Sequence, residues 1–213
     1  FTGCLVENVT VSAPTGQRIG GFAGQLGASY AASNNITLSQ CGVKETSVTG
    51  GTNTGGFVGV QYDDIDRSYV SGGTVTAKAN QCGGFSAYVQ NGGLTDCYTT
   101  ANVDGGSNSS VGGFAGIAYK ATISSCFAAG TIQCSGSSVG AFIGQCADQN
   151  GNPTIESCIG WHASLPFYGE NAVGATVSNC YAGVEQALTE KYGENITIER
   201  QIGSDSAADS DCA

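Results

Sequence analysis

The sequence predicts an all-β protein: a right-handed parallel β-helix (β-solenoid) of about seven coils with a short C-terminal cap. Three observations lead there. Residues 94–116, LTDCYTTANVDGGSNSSVGGFAG, are written repeatedly along the chain. The copies recur at a nearly regular interval, as in the steps from Ser68 to Cys97 and from Cys97 to Cys126. The composition, with 34 glycines, three prolines, no methionine and 11% charged residues, supports short strands and turns, and no segment within the repeats sustains a helical period.

The repeat has two anchors. An aliphatic residue stands three before a cysteine at Leu38/Cys41, Leu94/Cys97, Ile123/Cys126, Ile155/Cys158 and Val177/Cys180. Phe1/Cys4 and Ile65/Ser68 are variants of it, and the total is seven copies. A GGFxG turn stands between consecutive copies, at Phe22, Phe57, Phe85 and Phe114 and, as Gly140-Ala141-Phe142, a fifth time. The step along the Cys column is longest from Cys4 to Cys41 and shortest from Cys158 to Cys180, with even spacing between. A propeller blade needs roughly 40–45 residues and four strands, more than the step from Cys97 to Cys126 supplies. A β-helix coil of three short strands fits this period.

A single coil cannot bury its apolar residues alone and does so against the coils above and below. Equivalent positions then become ladders: one of Phe22, Phe57, Phe85, Phe114 and Phe142, one of the aliphatic residues, one of the cysteines. At about 4.8 Å per coil, seven coils make a core on the order of 30 Å long. Glycine flanks each phenylalanine because the chain there turns where a Cβ would collide or φ must be positive.

Coil one carries an excursion around residues 29–35 and coil five a bulge at 148–153. Coil six, with Trp161, His162 and Pro166, departs most, and Val173-Gly174-Ala175 stands where its GGF turn is expected. The domain reading is a solenoid over 1–182, a helical or edge cap over 183–202 with its helix at 184–192, and an acidic, serine-rich tail over 203–213.

At these residues the chain resembles the GLUG-motif repeats, a glycine-glycine-aromatic-x-glycine turn followed by an I-x-x-C-x-x-x-G-x-V strand. Here that is Gly112-Gly113-Phe114-Ala115-Gly116, then Ile123, Cys126, Gly130 and Ile132. The resemblance covers roughly residues 1–182. Similar repeats occur in large secreted and surface proteins, adhesins among them, so it implies a stalk or display scaffold. It speaks to fold more than to activity.

The formal charge of −10, from few basic residues, disfavours nucleic acid as a partner. No apolar run is long enough to span a bilayer, and the chain starts at Phe1 without an initiator methionine, as a processed or excised piece would. Ten cysteines with no CxxC pair favour an oxidising, extracellular or cell-surface location. Sequons at Asn8, Asn35, Asn108 and Asn195 are glycan acceptors in a eukaryotic secretory pathway.

The function expected is non-catalytic: an extracellular structural or adhesion protein that self-associates end to end or meets other surface components, glycans included. The alternative is a carbohydrate-active β-helix lyase or hydrolase, or a glycan-binding module. The only compact acidic cluster is Asp63, Asp64 and Asp66, followed by Arg67, and the Gly-His-Gly and Arg-x-Lys of polygalacturonase-type enzymes are absent. No catalytic residue is assigned. The three carboxylates offer hard oxygen ligands for Ca²⁺, against the plainer reading of a solvated turn. Asp148, Asn150 and Asn152 imitate a Ca²⁺ loop but lack its glycine and its glutamate. The single histidine, His162, lacks triad partners and reads as structural beside Trp161.

Stacked cysteines lie inside the disulfide window, making Cys4–Cys41, Cys97–Cys126 and Cys158–Cys180 geometrically possible; buried free thiols are the equal alternative. The off-column Cys82, Cys134, Cys146 and Cys212 are the candidates for bridges between faces or to a partner. If the Cys column points inward, the next residue points out. That places Tyr69, Tyr98 and Phe127, with Tyr181 further on, as an exposed aromatic stripe for a glycan or protein partner; with reversed parity the stripe is core.

Overall fold

The computed structural model describes residues 1–28, 36–148, 151–171 and 174–182. The cap and tail expected over 183–213, with Cys212 and Asn195, lie outside the described residues, as do Asn35 and Asn150.

The described chain is a stack of short strands, all paired in parallel with the equivalent strands of neighbouring coils. The coil containing Leu94 shows the path. It runs Gly93–Thr95, turns at Cys97, then Tyr98–Thr99, Asn102–Gly106, Val111–Gly112 and Ala115–Tyr119, and re-enters the first position of the next coil at Thr122–Ser124. These positions build four sheets, named here for their repeated residues: an aliphatic sheet of six strands, a tyrosine sheet of seven, a valine sheet of eight and a glycine sheet of six.

Register is residue-for-residue. Leu38, Ile65, Leu94, Ile123, Ile155 and Val177 are successive partners in the aliphatic sheet. Val11, Val48, Val75, Val103 and Ile132 are partners in the valine sheet. A period-2 strand slipped by one residue would turn each of these rows to solvent, so the buried rows themselves hold the register.

The class is the expected β-solenoid; the number of complete turns is about five rather than seven. Five coils contribute a main strand to the valine sheet, the last being Ile132–Cys134. After Ile159–Trp161 the chain reaches Tyr168–Asn171 in the glycine sheet without one, and the next coil is described only at Thr176–Ser178 and Tyr181–Ala182. The loss follows from length: the step from Cys158 to Cys180 is the shortest in the column, too short to visit all four sheets.

The interior is organised on a phenylalanine column. Phe22, Phe57, Phe85, Phe114 and Phe142 stack with centroids 4.7–5.0 Å apart and planes within 8° of parallel. A sixth ring, Phe167, continues the stack at 4.9 Å. This corrects the placement of the sixth turn at Val173-Gly174-Ala175. The turn is Leu165-Pro166-Phe167, whose Pro166 and Phe167 carbonyls accept from the amides of Ala141, Phe142 and Ile143. The Phe-x-Gly of Phe167-Tyr168-Gly169, shared with Phe114-Ala115-Gly116 and Phe142-Ile143-Gly144, marks it in the sequence.

Glycine in these turns answers to close approach rather than to positive φ. A Cβ on the first glycine of the pair, as at Gly112, would overlap the carbonyl oxygen three residues on. A Cβ on the second would overlap the next coil's carbonyl: Gly84 meets Gly113, and Gly113 meets Ala141. Positive φ is instead carried by non-glycine residues at another corner. Gln40, Arg67, Asp96, Ser125, Ser157 and Asn179, each immediately before the Cys column, have φ of 45–54° and swing the chain from the aliphatic to the tyrosine sheet.

Candidate functional surface

Inward and outward rows alternate as the strand period requires. In the Cys column, Cys41, Cys97, Cys126 and Cys158 are buried, Cys180 is half-buried, and Cys4 in the first coil is exposed. Buried Ser68 fills the gap, its hydroxyl donating to the Asp66 carbonyl and accepting from the Cys41 amide. Each of Cys97, Cys126, Cys158 and Cys180 directs its Sγ toward the carbonyl two residues before it, at 3.1–3.2 Å. The same Sγ lies 3.6–3.7 Å from the aliphatic residue's carbonyl in the preceding coil. The nine described cysteines are free thiols. Burial pushes Cys82, Cys126 and Cys146 upward, Cys146 to about 12, so these groups are held protonated and poorly nucleophilic.

The residue after the column points outward. Leu5, Gly42, Tyr69, Tyr98, Phe127, Ile159 and Tyr181 form one row of the tyrosine sheet. Tyr69 and Tyr98 stack at 5.3 Å and 9°, turned toward one another, and Tyr69 also leans over Gly42, where a Cβ would come within 2.5 Å of its Cζ. Tyr69, Tyr98, Phe127 and Tyr181 are each half-buried. Burial, with Tyr69 next to it, raises the Tyr98 phenol. Trp161, two residues beyond Ile159 and on the same side, is 40% exposed.

The structure adds a second aromatic row that the sequence reading lacks. Tyr62, Tyr88 and Tyr119 adjoin along the glycine sheet, with centroids 6.2 and 5.0 Å apart. The Tyr88 phenol donates to Gln90 Oε1 at 2.7 Å, and burial raises the Tyr88 and Tyr119 hydroxyls. Tyrosine five residues after both Phe57 and Phe114 is the available signal. The outer side of the aliphatic sheet is different in kind. Thr37, Thr122, Thr154 and Thr176 form one exposed column, and Ser39, Thr95, Ser124 and Ser178 a half-buried one, interrupted by Gly93, Asp64, Asp66 and Glu156.

The acidic cluster is split among three settings. Asp63 is buried in the turn before the aliphatic sheet. Exposed Asp64 accepts the Gly93 amide at 2.7 Å, and Asp66 pairs with Arg67 at 2.7 Å. Among the described residues no group of three or more His, Cys, Asp or Glu side chains converges on one point. Asp148 accepts the Gly151 amide at 3.3 Å. His162 Nδ1 accepts the Ser164 and Leu165 amides at 3.2 Å each, capping the irregular coil. Of the described sequons, Asn8 is exposed, while Asn108 uses its side-chain amide on the Ala77 carbonyl at 3.1 Å.

The geometry defines a solenoid whose interior is packing and whose distinctive chemistry lies on its outer rows. Comparison with known proteins fits that class. Residues 107–133 match the family model of the GLUG motif, and so the chain carries a GLUG motif there. The matched segment runs from one GGF turn, through the glycine, aliphatic and tyrosine sheets, to Ile132 at the valine sheet. Among curated proteins, the chain is similar to Halomucin of Haloquadratum walsbyi (strain DSM 16790 / HBSQ001). The two are 38% identical over 86 residues, covering 38% of this chain and 1% of that protein. No solved structure matches.

Proposed function

We propose that the chain is a non-catalytic structural module of an extracellular or cell-surface protein, a β-solenoid scaffold that joins further coils end to end as a stalk or filament. The observation that supports this best is the unbroken column from Phe22 to Phe167. Every coil adds one ring and one set of backbone hydrogen bonds, which is how a stack is lengthened without new design. The GLUG motif and the similarity to a far longer protein, Halomucin, agree with a spacer inside a long polypeptide. No helix among the described residues is long and apolar enough to cross a membrane.

Leu5–Glu7, Thr10–Gly20 and Ala23–Leu26 are paired on one side only, and Phe1, Leu5 and Val9 are 81%, 53% and 41% exposed. An open strand edge of this kind accepts another coil, from a second copy or from further repeats of the same polypeptide. Sedimentation velocity over a wide concentration range tests the filament version: species that lengthen with concentration support it, and a uniform monomer at high concentration sinks it. The non-catalytic reading is tested on acidic polysaccharides. Release of unsaturated or reducing sugars that Asp64→Asn abolishes would overturn it.

A second reading, a glycan-binding face on the tyrosine sheet, is favoured by the row Tyr69, Tyr98, Phe127 and Tyr181 with exposed Trp161 beside it. A glycan array screened with the intact chain and with Trp161→Ala tests it. Binding lost in the variant supports the face, and no binding by the intact chain removes it.

A further inference from the structure

The Cys column has a parity. Ser68 divides it into a run of two thiols, Cys4 and Cys41, and a run of four, Cys97, Cys126, Cys158 and Cys180. Adjacent members sit on adjacent coils, with partners such as Leu5↔Gly42 and Tyr98↔Phe127 one residue beyond them. One coil step, about 4.8 Å between equivalent Cα atoms, is inside the disulfide range of about 4.4–6.8 Å; two steps, the separation of Cys41 from Cys97 across Ser68, are outside it. A run of two and a run of four each have only one complete pairing of neighbours. We infer that the column is a disulfide staple built into the stack, and that oxidation joins Cys4–Cys41, Cys97–Cys126 and Cys158–Cys180, each bond tying one coil to the next.

In-register side chains that project parallel to one another resist this bond, so closing it requires one thiol of each pair to rotate toward its neighbour. Each Sγ in the longer run leans along the solenoid axis, reaching the preceding coil's carbonyl at Ile65, Leu94, Ile123 or Ile155 as well as its own coil's. All four lean the same way, so Cys126 keeps Cys97 and Cys158 as its neighbours, and Cys158 keeps Cys180, each one coil away. The column is described in its reduced state. Oxidation requires a small-molecule disulfide such as oxidised glutathione. One cysteine thiolate attacks it, releasing one small thiol and leaving a mixed disulfide. The neighbouring thiolate displaces the second small thiol, and the two cysteine protons pass to the two thiols released. Because each pair includes a thiol buried in the closed stack, Cys41, Cys97 with Cys126, or Cys158, the exchange takes place while the coils are assembling.

The Cys158–Cys180 bond has a specific place in the fold. It spans the coil that has no valine-sheet strand among the described residues.

The test refolds the full chain in a mixed reduced and oxidised glutathione buffer, blocks free thiols, and maps the digested peptides by mass spectrometry without reduction. The expected result is three cross-linked peptide pairs, 4/41, 97/126 and 158/180, and a melting temperature that falls when the bonds are reduced. Free column thiols, a Cys126–Cys158 link, or links from the column to Cys82, Cys134 or Cys146 would overturn the inference. Two variants keep the test decisive. Cys126→Ser leaves Cys97 open to alkylation with 158/180 intact. Ser68→Cys, which converts the column to seven consecutive thiols, gives mixed pairings and one alkylatable thiol; if its pairing stayed unique, the parity argument would fail.

Discussion

Phe114 and Phe142 stack with ring centroids 4.7 Å apart and planes 4° from parallel, although a whole coil of chain separates them. Both are fully buried, and each is the face against which the next ring is laid. Phe114→Ala, in mid-column, leaves a void closed above and below by rigid rings and is expected to cost about 3–5 kcal/mol. Phe22→Ala, at the open edge and only half-buried, is expected to cost less. Urea unfolding of the two variants against the parent gives the comparison, and equal costs would count against a continuous column.

Gly84→Ala tests the close approach of coils. Its Cβ would overlap the Gly113 carbonyl, a backbone atom held by its own coil, so no side chain can move aside. The expected cost is about 1–3 kcal/mol or more. Gly42→Ala meets only the Tyr69 ring, which can rotate away, and is expected to be milder in the same unfolding assay and to weaken the Tyr69–Tyr98 stack.

Ser125 sits at φ 52° in a corner built by a left-handed residue in every coil. Holding a side chain there costs roughly 1–2 kcal/mol, so Ser125→Gly is expected to raise stability by about 1 kcal/mol once the added freedom of the unfolded chain is subtracted. Ser125→Val should lower it. A shift of the denaturation midpoint in opposite directions for the two variants is the readout.

Stability should fall at alkaline pH under reducing conditions. Burial raises Cys146 to about 12 from an ordinary 9.0, so the folded state retains a thiol proton that the unfolded chain releases. The contribution is complete below pH 9 and is lost as pH rises from there toward 12. The slope is about 1.4 kcal/mol per pH unit for each such thiol. Urea midpoints at about pH 8 and about pH 10.5 measure it, and Cys146→Ala should flatten the decline.

The ladders are legible because a parallel in-register stack demands the same residue type at the same place in each turn. Leu94, Cys97 and Phe114 and their copies therefore announce the fold, and the parity that turns Tyr98 outward follows once Cys97 faces in. Phe167 is obscured because Leu-Pro replaces Gly-Gly before it, so a motif read by its glycines passes over the ring and the Phe-x-Gly that pack against the neighbouring coil. Asp63, Asp64 and Asp66 are close in sequence, yet one lies in a turn and two lie on an outer face with distinct partners, so adjacency in the chain does not become convergence in space. The Tyr62, Tyr88 and Tyr119 row is hidden because Tyr88 stands three residues after its phenylalanine and the other two stand five after theirs.

If each turn is an interchangeable unit of a scaffold, the stack should tolerate the loss of one whole turn, and deletion tests that most directly. Removing residues 94–122 joins Gly93 to Ile123, the register partner of Leu94, and closes the stack by one complete coil. The prediction is a folded β protein of unchanged strand content per residue, unfolding cooperatively at slightly lower denaturant, while removal of residues 94–108, half a turn, abolishes folding. If the whole-coil deletion collapsed as completely as the half-coil deletion, the coils would not be interchangeable units and the scaffold reading would be contradicted.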